Sequence, residues 1–222
     1  MRGRLAVSEG LVLARRPHRE ADRVAAVFTR EFGKVPVRFP GVDRPAAKLR
    51  ALAEPLVHGD FRIYVRHGSE YATAAGGAMR TAHPGLRGGL AALLRGFGVI
   101  ELLDRLTPWW QASAEKLELT LGALAAMEDA CEDGASWVYT AYGLRLFEVA
   151  GYGMRARRVT EENRPLWDAL HTASWRDVAG LPGDAERQGR LEQLVAATVE
   201  RVAERPLCWM RVREKVRERV GA

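Results

Sequence analysis

The sequence predicts an α+β protein, strands first and helices after. Three observations carry this expectation. Apolar residues alternate in short runs over the first 80 residues, they recur at helical spacing from about residue 84 onward, and Gly and Pro punctuate the joins. The length of 222 residues makes one large domain or two small ones. Hydrophobic residues at 47% and charged residues at 28% exclude the disordered and fibrous classes. No apolar run approaches the roughly 18 residues of a membrane span, and the stretch Leu11 to Ala14 is too short for the core of a secretory signal. Two cysteines, Cys131 and Cys208, cannot build a disulfide framework or a Cys-only zinc site. A reducing, cytoplasmic location is the expectation.

The first strand runs over Ala6 to Ala14, with Val7, Leu11, Val12 and Leu13. Asp22 to Arg30 is a second apolar run. Glu31-Phe32-Gly33-Lys34 supplies a turn into Val35, Val37 and Phe39, and Pro40-Gly41 ends that strand. Leu56 to Val65 alternates again, and His67-Gly68-Ser69-Glu70 reads as a hairpin turn into Tyr71 to Ala75. Five short strands in about 75 residues suit a small closed barrel of OB type better than a sandwich.

Helices follow. Pro84 suits a helix start. Leu90, Leu93, Leu94, Phe97, Ile100 and Leu103 keep helical spacing up to Pro108. Ser113 opens a second helix, Gly134 interrupts, and Ser136 caps a third that ends at Gly151-Tyr152-Gly153. Residues 154–186 show no clear period. A further helix spans about Ala185 to Ala203 and stops at Arg205-Pro206. Met210 to Val220 makes a short amphipathic helix. The expected domains are therefore 1–80 and 81–222.

Thirty of the 34 basic residues are arginine, the exceptions being Lys34, Lys48, Lys116 and Lys215. The net charge is +6, unevenly spread: +7 over residues 1–82, −4 over 83–150 and +3 over 151–222. A basic first segment points to a polyanionic partner. No P-loop, G-x-G-x-x-G, H-E-x-x-H or G-x-S-x-G motif is present. The histidines His18, His58, His67, His83 and His171 are scattered, with no i+4 partner to suggest a metal site. The carboxylate pairs Glu20/Asp22 and Glu101/Asp104, and the acidic run Glu128-Asp129 with Glu132-Asp133, read as solvated faces rather than acid–base or Mg²⁺ chemistry. No enzyme, cofactor or metal is expected.

Several stretches together resemble the RecO family of bacterial recombination mediators. They are Glu9-Gly10-Leu11-Val12-Leu13, then Arg19-Glu20-Ala21-Asp22-Arg23, then Phe28 to Lys34, Gly41 with Arg44-Pro45, Lys48-Leu49 and Glu54-Pro55. Further on, Glu101 to Pro108, Leu144 to Glu148 leading to Gly151-Tyr152-Gly153, and Leu191 to Leu207 follow in the family's order. Three departures stand out. Many family members carry four cysteines after the G-Y-G stretch, whereas residues 154–187 hold none, so that segment is read as a degenerate, cysteine-free equivalent of a zinc finger, held by Trp167 and Trp175 in a small apolar cluster. The loop after the third strand has Pro40, Asp43 and Ala46 where basic residues are common, keeping Arg44 and Lys48. Trp109-Trp110 stands where the family is more polar, and reads as core and lid.

The resemblance implies a DNA repair and recombination mediator. Such a protein binds single- and double-stranded DNA and anneals complementary strands coated with single-stranded-DNA-binding protein. With RecR it promotes RecA loading. The implied partners are these DNA forms, the coating protein's C-terminal tail, RecR and indirectly RecA, with no membrane and a cytoplasmic, nucleoid-associated location. Annealing makes and breaks no covalent bond; it needs cations against phosphate repulsion and a surface that leaves bases free to pair. The candidate DNA-binding residues are Arg15, Arg16, Arg19, Arg23, Lys34, Arg38, Arg44, Lys48 and Arg50. Ordinary solvated arginines are the competing reading for about half of these. Phe39 and Tyr64 are aromatic candidates for base stacking but read better as core. An acidic, apolar tail needs an apolar groove rimmed by cations; Arg95, Arg105, Lys116 and Arg145 are the candidates. The alternative is an OB-fold DNA-binding module or adaptor without mediator activity.

Overall fold

Strand β1 is long, Arg4–His18, and serves two partners. Its second half pairs antiparallel with β2 (Asp22–Thr29), its first half with β4 (His58–Val65). A bulge between Val12 and Ala14 bends it between the two. β2 pairs with β3 (Gly33–Phe39), and β4 with β5 (Ala72–Thr81). β3 and β5 then meet in parallel over Val37–Ala72 and Arg38–Thr73, closing the barrel in the order β1-β2-β3-β5-β4. The computed structural model describes residues 3–66, 68–153 and 159–220; His67 of the expected hairpin turn lies outside them.

Alternation sets the core. Ala25 and Val27, then Val35, Val37 and Phe39, then Phe61 and Ile63 face inward and pack with Val12, Val42, Leu52 and Val57. Lys34, Pro36 and Arg38 take the outward positions of β3. β5 extends to Thr81, beyond the expected Ala75, because its pairing with β4 continues to His58–Thr81.

The chain divides into two compact units: Met1–His83 with Thr107–Leu117, and Pro84–Leu106 with Glu118–Ala222. The eleven-residue segment Thr107–Leu117 thus groups with the barrel rather than with the helical part expected from residue 81. Gly33 shows how closely it lies. At φ +68° this residue has backbone favouring glycine, and a Cβ there would collide with the carbonyl of Gln111.

In the helical part, α1 (Pro84–Arg87), α2 (Leu90–Arg105) and α3 (Ala114–Asp129) begin where Pro84, the Leu periodicity and Ser113 point. α4 spans Glu132–Val149 and is buried on nearly every side, the mark of a central helix. Two expectations fail here. The cap of α4 is Cys131, not Ser136, and Gly134 lies within the first turn rather than interrupting. Ser136 is instead buried in the helix and donates to Glu192 at 2.5 Å.

Residues 159–187 fold as a 3-10 turn, Glu161–Asn163, then α5 (Arg164–Thr172), α6 (Trp175–Ala179) and the start of α7 (Ala185–Ala203). Ser174 caps α6, and Asp184 caps α7. The part of the expected zinc-finger equivalent at 154–158 lies outside the described residues. Trp167 and Trp175 have separate neighbours: the first lies 4.6 Å from the His171 ring, the second under the Arg145 guanidinium at 4.3 Å. The chain ends in α8 (Cys208–Val220). Among the described residues no helix is long and apolar enough to cross a membrane.

Candidate nucleic-acid interface

The candidate cations on the barrel fall into two groups. One group fastens the loop between β3 and β4. Arg23 pairs with Asp43 at 2.5 Å and Glu54 at 3.3 Å, and Arg15 pairs with Glu54 at 2.8 Å. Arg50 donates to the carbonyls of Val42, Asp43 and Arg44 at 3.4, 2.8 and 3.2 Å. The Gly41 amide donates to Asp22 at 2.7 Å. Asp22 and Asp43 are thus structural acceptors, and the loop is held to the barrel by the cations themselves.

The second group is available to a ligand. Arg19, Arg44 and Lys48 are exposed and Arg38 is half-buried. For these four side chains no acidic or hydrogen-bonding partner is found among the described residues. Arg16, exposed, donates to the Tyr71 hydroxyl at 3.1 Å, with its guanidinium 5.9 Å from the ring centre. The pairing Arg16–Val24–Arg38–Thr73–Tyr64 sets these residues in one row across β1, β2, β3, β5 and β4. His18 joins it at the β1–β2 turn, its ring 5.2 Å from that of Tyr71. The β1–β2 turn and the β4–β5 loop, the two loops an OB barrel uses for oligomeric ligands, are therefore linked by a cation, an imidazole and a phenol. His18 and Tyr71 were not candidates from the sequence; only the strand register brings them together. Phe39 is core, as read, whereas Tyr64 is exposed at the row's end.

Lys34 is different. It is only 6% exposed, and its ammonium lies 4.6 Å from the centre of the Trp109 ring. Trp109 forms a parallel bridge with Lys34, and the Trp110 amide donates to the Lys34 carbonyl at 2.8 Å. Both tryptophans stay open, Trp109 at 50% and Trp110 at 43% exposure. The expectation of core and lid is corrected: the Trp109 ring covers the Lys34 ammonium on the outer side of β3, and both tryptophans face solvent.

On the opposite flank, Glu9 accepts from Arg30 at 2.7 Å, from His58 at 3.0 Å and from Arg80, while Arg80 also grips Asp60 at 2.8 and 3.1 Å. Burial would raise the Glu9 carboxyl, but the hydrogen bonds from Arg30 and His58 and the neighbouring cations outweigh it, holding Glu9 below its ordinary value. Burial pushes His58 below its ordinary value against the pull of Glu9. A neutral imidazole then donates its Nε2 proton to the carboxylate. Two more arginines, Arg30 and Arg80, are thereby committed to structure.

The four candidates for the protein partner are engaged inside their own units. Arg95, 8% exposed, pairs with Glu132 at 3.4 Å. Arg105 pairs with Glu101 at 2.9 Å and reaches the Pro206 carbonyl at 3.4 Å. Arg145 donates to the carbonyls of Leu170 and Ala173 at 2.8 and 2.6 Å and stacks on Trp175. Lys116 is buried and belongs to the barrel unit, and burial lowers its ammonium below the ordinary value. Arg95, Arg105 and Arg145 each serve as a fastener within the helical unit. A groove of about 980 Å³ lies elsewhere in the helical unit, lined by Leu166, Trp167, Leu191 and Leu194 with Arg190 and Arg201 among its cations.

Comparison with known proteins agrees with the barrel's architecture. Residues 1–79 match the family described as Recombination protein O N terminal. The chain is 33% identical over 105 residues to a DNA repair protein RecO of Heliobacterium modesticaldum, covering 47% of this chain and 38% of that protein. It is 35% identical over 102 residues to that of Geobacter metallireducens, covering 46% and 41%. Against that of Desulfitobacterium hafniense it is 28% identical over 148 residues, covering 67% and 52%. The chain thus spans about half, or less, of the length of these relatives. The barrel is thus similar to the N-terminal domain of the RecO family, and the relatives that the chain matches are DNA repair proteins RecO.

Proposed function

We propose that this protein is a DNA repair and recombination mediator that works by binding, with no bond chemistry of its own. It holds single- and double-stranded DNA on the barrel and anneals complementary strands coated with single-stranded-DNA-binding protein. With RecR it promotes RecA loading. The observation that carries the reading is the cation row of Arg16 and Arg38 between the two ligand loops, with Arg19, Arg44 and Lys48 exposed beside it. Cations there offset phosphate charge without covering base edges, so bound strands remain free to pair. The carboxylates weighed as acid–base pairs have structural work: Asp22 holds Gly41, and Glu101 accepts from the Cys208 and Trp209 amides at 2.9 and 3.0 Å. What supports docking of the coating protein's acidic tail is the arginine-rimmed apolar groove of the helical unit.

The test is annealing of complementary strands precoated with cognate single-stranded-DNA-binding protein, using full-length and tail-deleted coats. Annealing that requires the tail is expected. Annealing of naked strands alone would reduce the protein to a DNA-binding module, and no DNA binding at low salt would leave an adaptor.

A further inference from the structure

We propose that Trp109 and Trp110 form a stacking platform for unpaired nucleic-acid bases, placed by the segment Thr107–Leu117 at one end of the β3 cation track. The inference rests on the DNA-binding reading of the barrel and adds a base-contacting site to it. Three features point there. First, the two tryptophans are consecutive in the chain and each is about half exposed, rare for this side chain. Second, the chain holds Trp110 at φ +61°, a left-handed conformation that bulky side chains seldom adopt, through the Trp110 amide donating to the Lys34 carbonyl. Strain of this kind persists where the surroundings fix it and collects at ligand sites. Third, the charge is complementary. The Lys34 ammonium sits beneath the Trp109 ring, and Arg38 follows four residues along the same outward side of β3, about 13 Å away at strand rise.

A single strand laid along β3 would put a phosphate near Arg38 and bases on the two rings. Stacking on flat aromatic faces accepts any base and suits a protein that must bind strands of arbitrary sequence. Duplex DNA keeps its bases stacked on each other, so the platform distinguishes single strands from duplex, which the cation row alone does not.

The experiment is fluorescence anisotropy of the full chain with a labelled oligothymidine, the same strand made abasic, and a duplex. Trp109→Ala and Trp110→Ala are each expected to weaken oligothymidine binding about five- to a hundredfold and to leave duplex binding unchanged. Trp109→Phe and Trp110→Phe should keep most of the affinity, which separates loss of stacking from loss of fold. On the abasic strand, wild type and Ala variants should converge. Oligothymidine affinity unchanged in both Ala variants, with wild type still binding DNA, would overturn the platform and leave the DNA reading standing. Wild type that binds no DNA form at low salt would sink the DNA reading, and the platform with it. A fall in sedimenting mass on Trp110→Ala would overturn the platform by assigning the rings to a contact between two copies.

Discussion

The barrel and the helical unit use the same residue in opposite ways. On the barrel, Arg16, Arg19, Arg38 and Arg44 keep their guanidinium groups at the surface, around a hydrophobic core. In the helical unit, Arg145 donates to two carbonyls at the C-terminal end of α5, and Arg213 pairs with the buried Glu192 at 2.5 Å while lying over Trp209. The first arrangement leaves charge for a ligand. The second spends the planar five-donor fork of arginine as a fastener. A count of arginines therefore says little about binding until each is placed, and the segment carrying +7 is not uniformly available even on the barrel.

This contrast can be broken most sharply at Glu192. Glu192→Ala should cost about 2–4 kcal/mol, because it leaves Arg213 half-buried without its carboxylate and Ser136 without its acceptor. Urea denaturation reads this, and DNA affinity should stay unchanged. Arg145→Met should cost about 1–3 kcal/mol, with carbonyls uncapped and the Trp175 contact weakened. A barrel-like result at Arg145, with stability kept and binding lost, would refute the division. Arg38→Ala with Arg44→Ala should do the reverse: stability within about 0.5 kcal/mol, DNA affinity down about tenfold or more at moderate salt, and a salt slope shallower by roughly two.

The smallest expected effect sharpens the barrel side. Glu9 lies below its ordinary value when folded, so its contribution is present above the unfolded carboxylate range and fades as pH falls through the folded value. His58, also lowered, favours the neutral ring when folded, so it too withdraws stability as pH drops below its ordinary value of 6.5. Both signs agree: the barrel weakens toward acid. Glu9→Gln should lower the melting temperature at neutral pH by an amount worth about 1 kcal/mol or less, and the difference should fade as the pH falls through the folded value of Glu9. A difference that grew toward acid would contradict the network.

Much of the fold was legible because its determinants are local. Apolar runs marked β1 and β2, alternation marked β3 and β4, a turn led into β5, and apolar residues at helical spacing marked α2 and α7. Ser136 misled because a serine before an apolar run reads as a cap, while its actual acceptor, Glu192, is 56 residues away. The helices α5 and α6 were opaque because they are short, nine and five residues, and each takes its amphipathic cue from few positions. Among site residues, types were legible and availability was not. Arg23 and Arg50 differ from Arg38 and Arg44 only through Asp43, Glu54 and the loop carbonyls they meet. Trp109 and Trp110 read as interior because nothing local shows a segment crossing back to Lys34.

The barrel seam has a consequence for synthesis. β3 and β5 share only two paired positions, and the edge of β3 around Lys34 is covered by residues that follow the first long helix. During translation all five strands emerge before that cover does. Until residue 110 is free, an edge of the nascent barrel lies open, with backbone groups at Lys34 able to pair with another chain. Guarding that edge falls to whatever holds the emerging chain, and cutting the gene after β5 would make the exposure permanent.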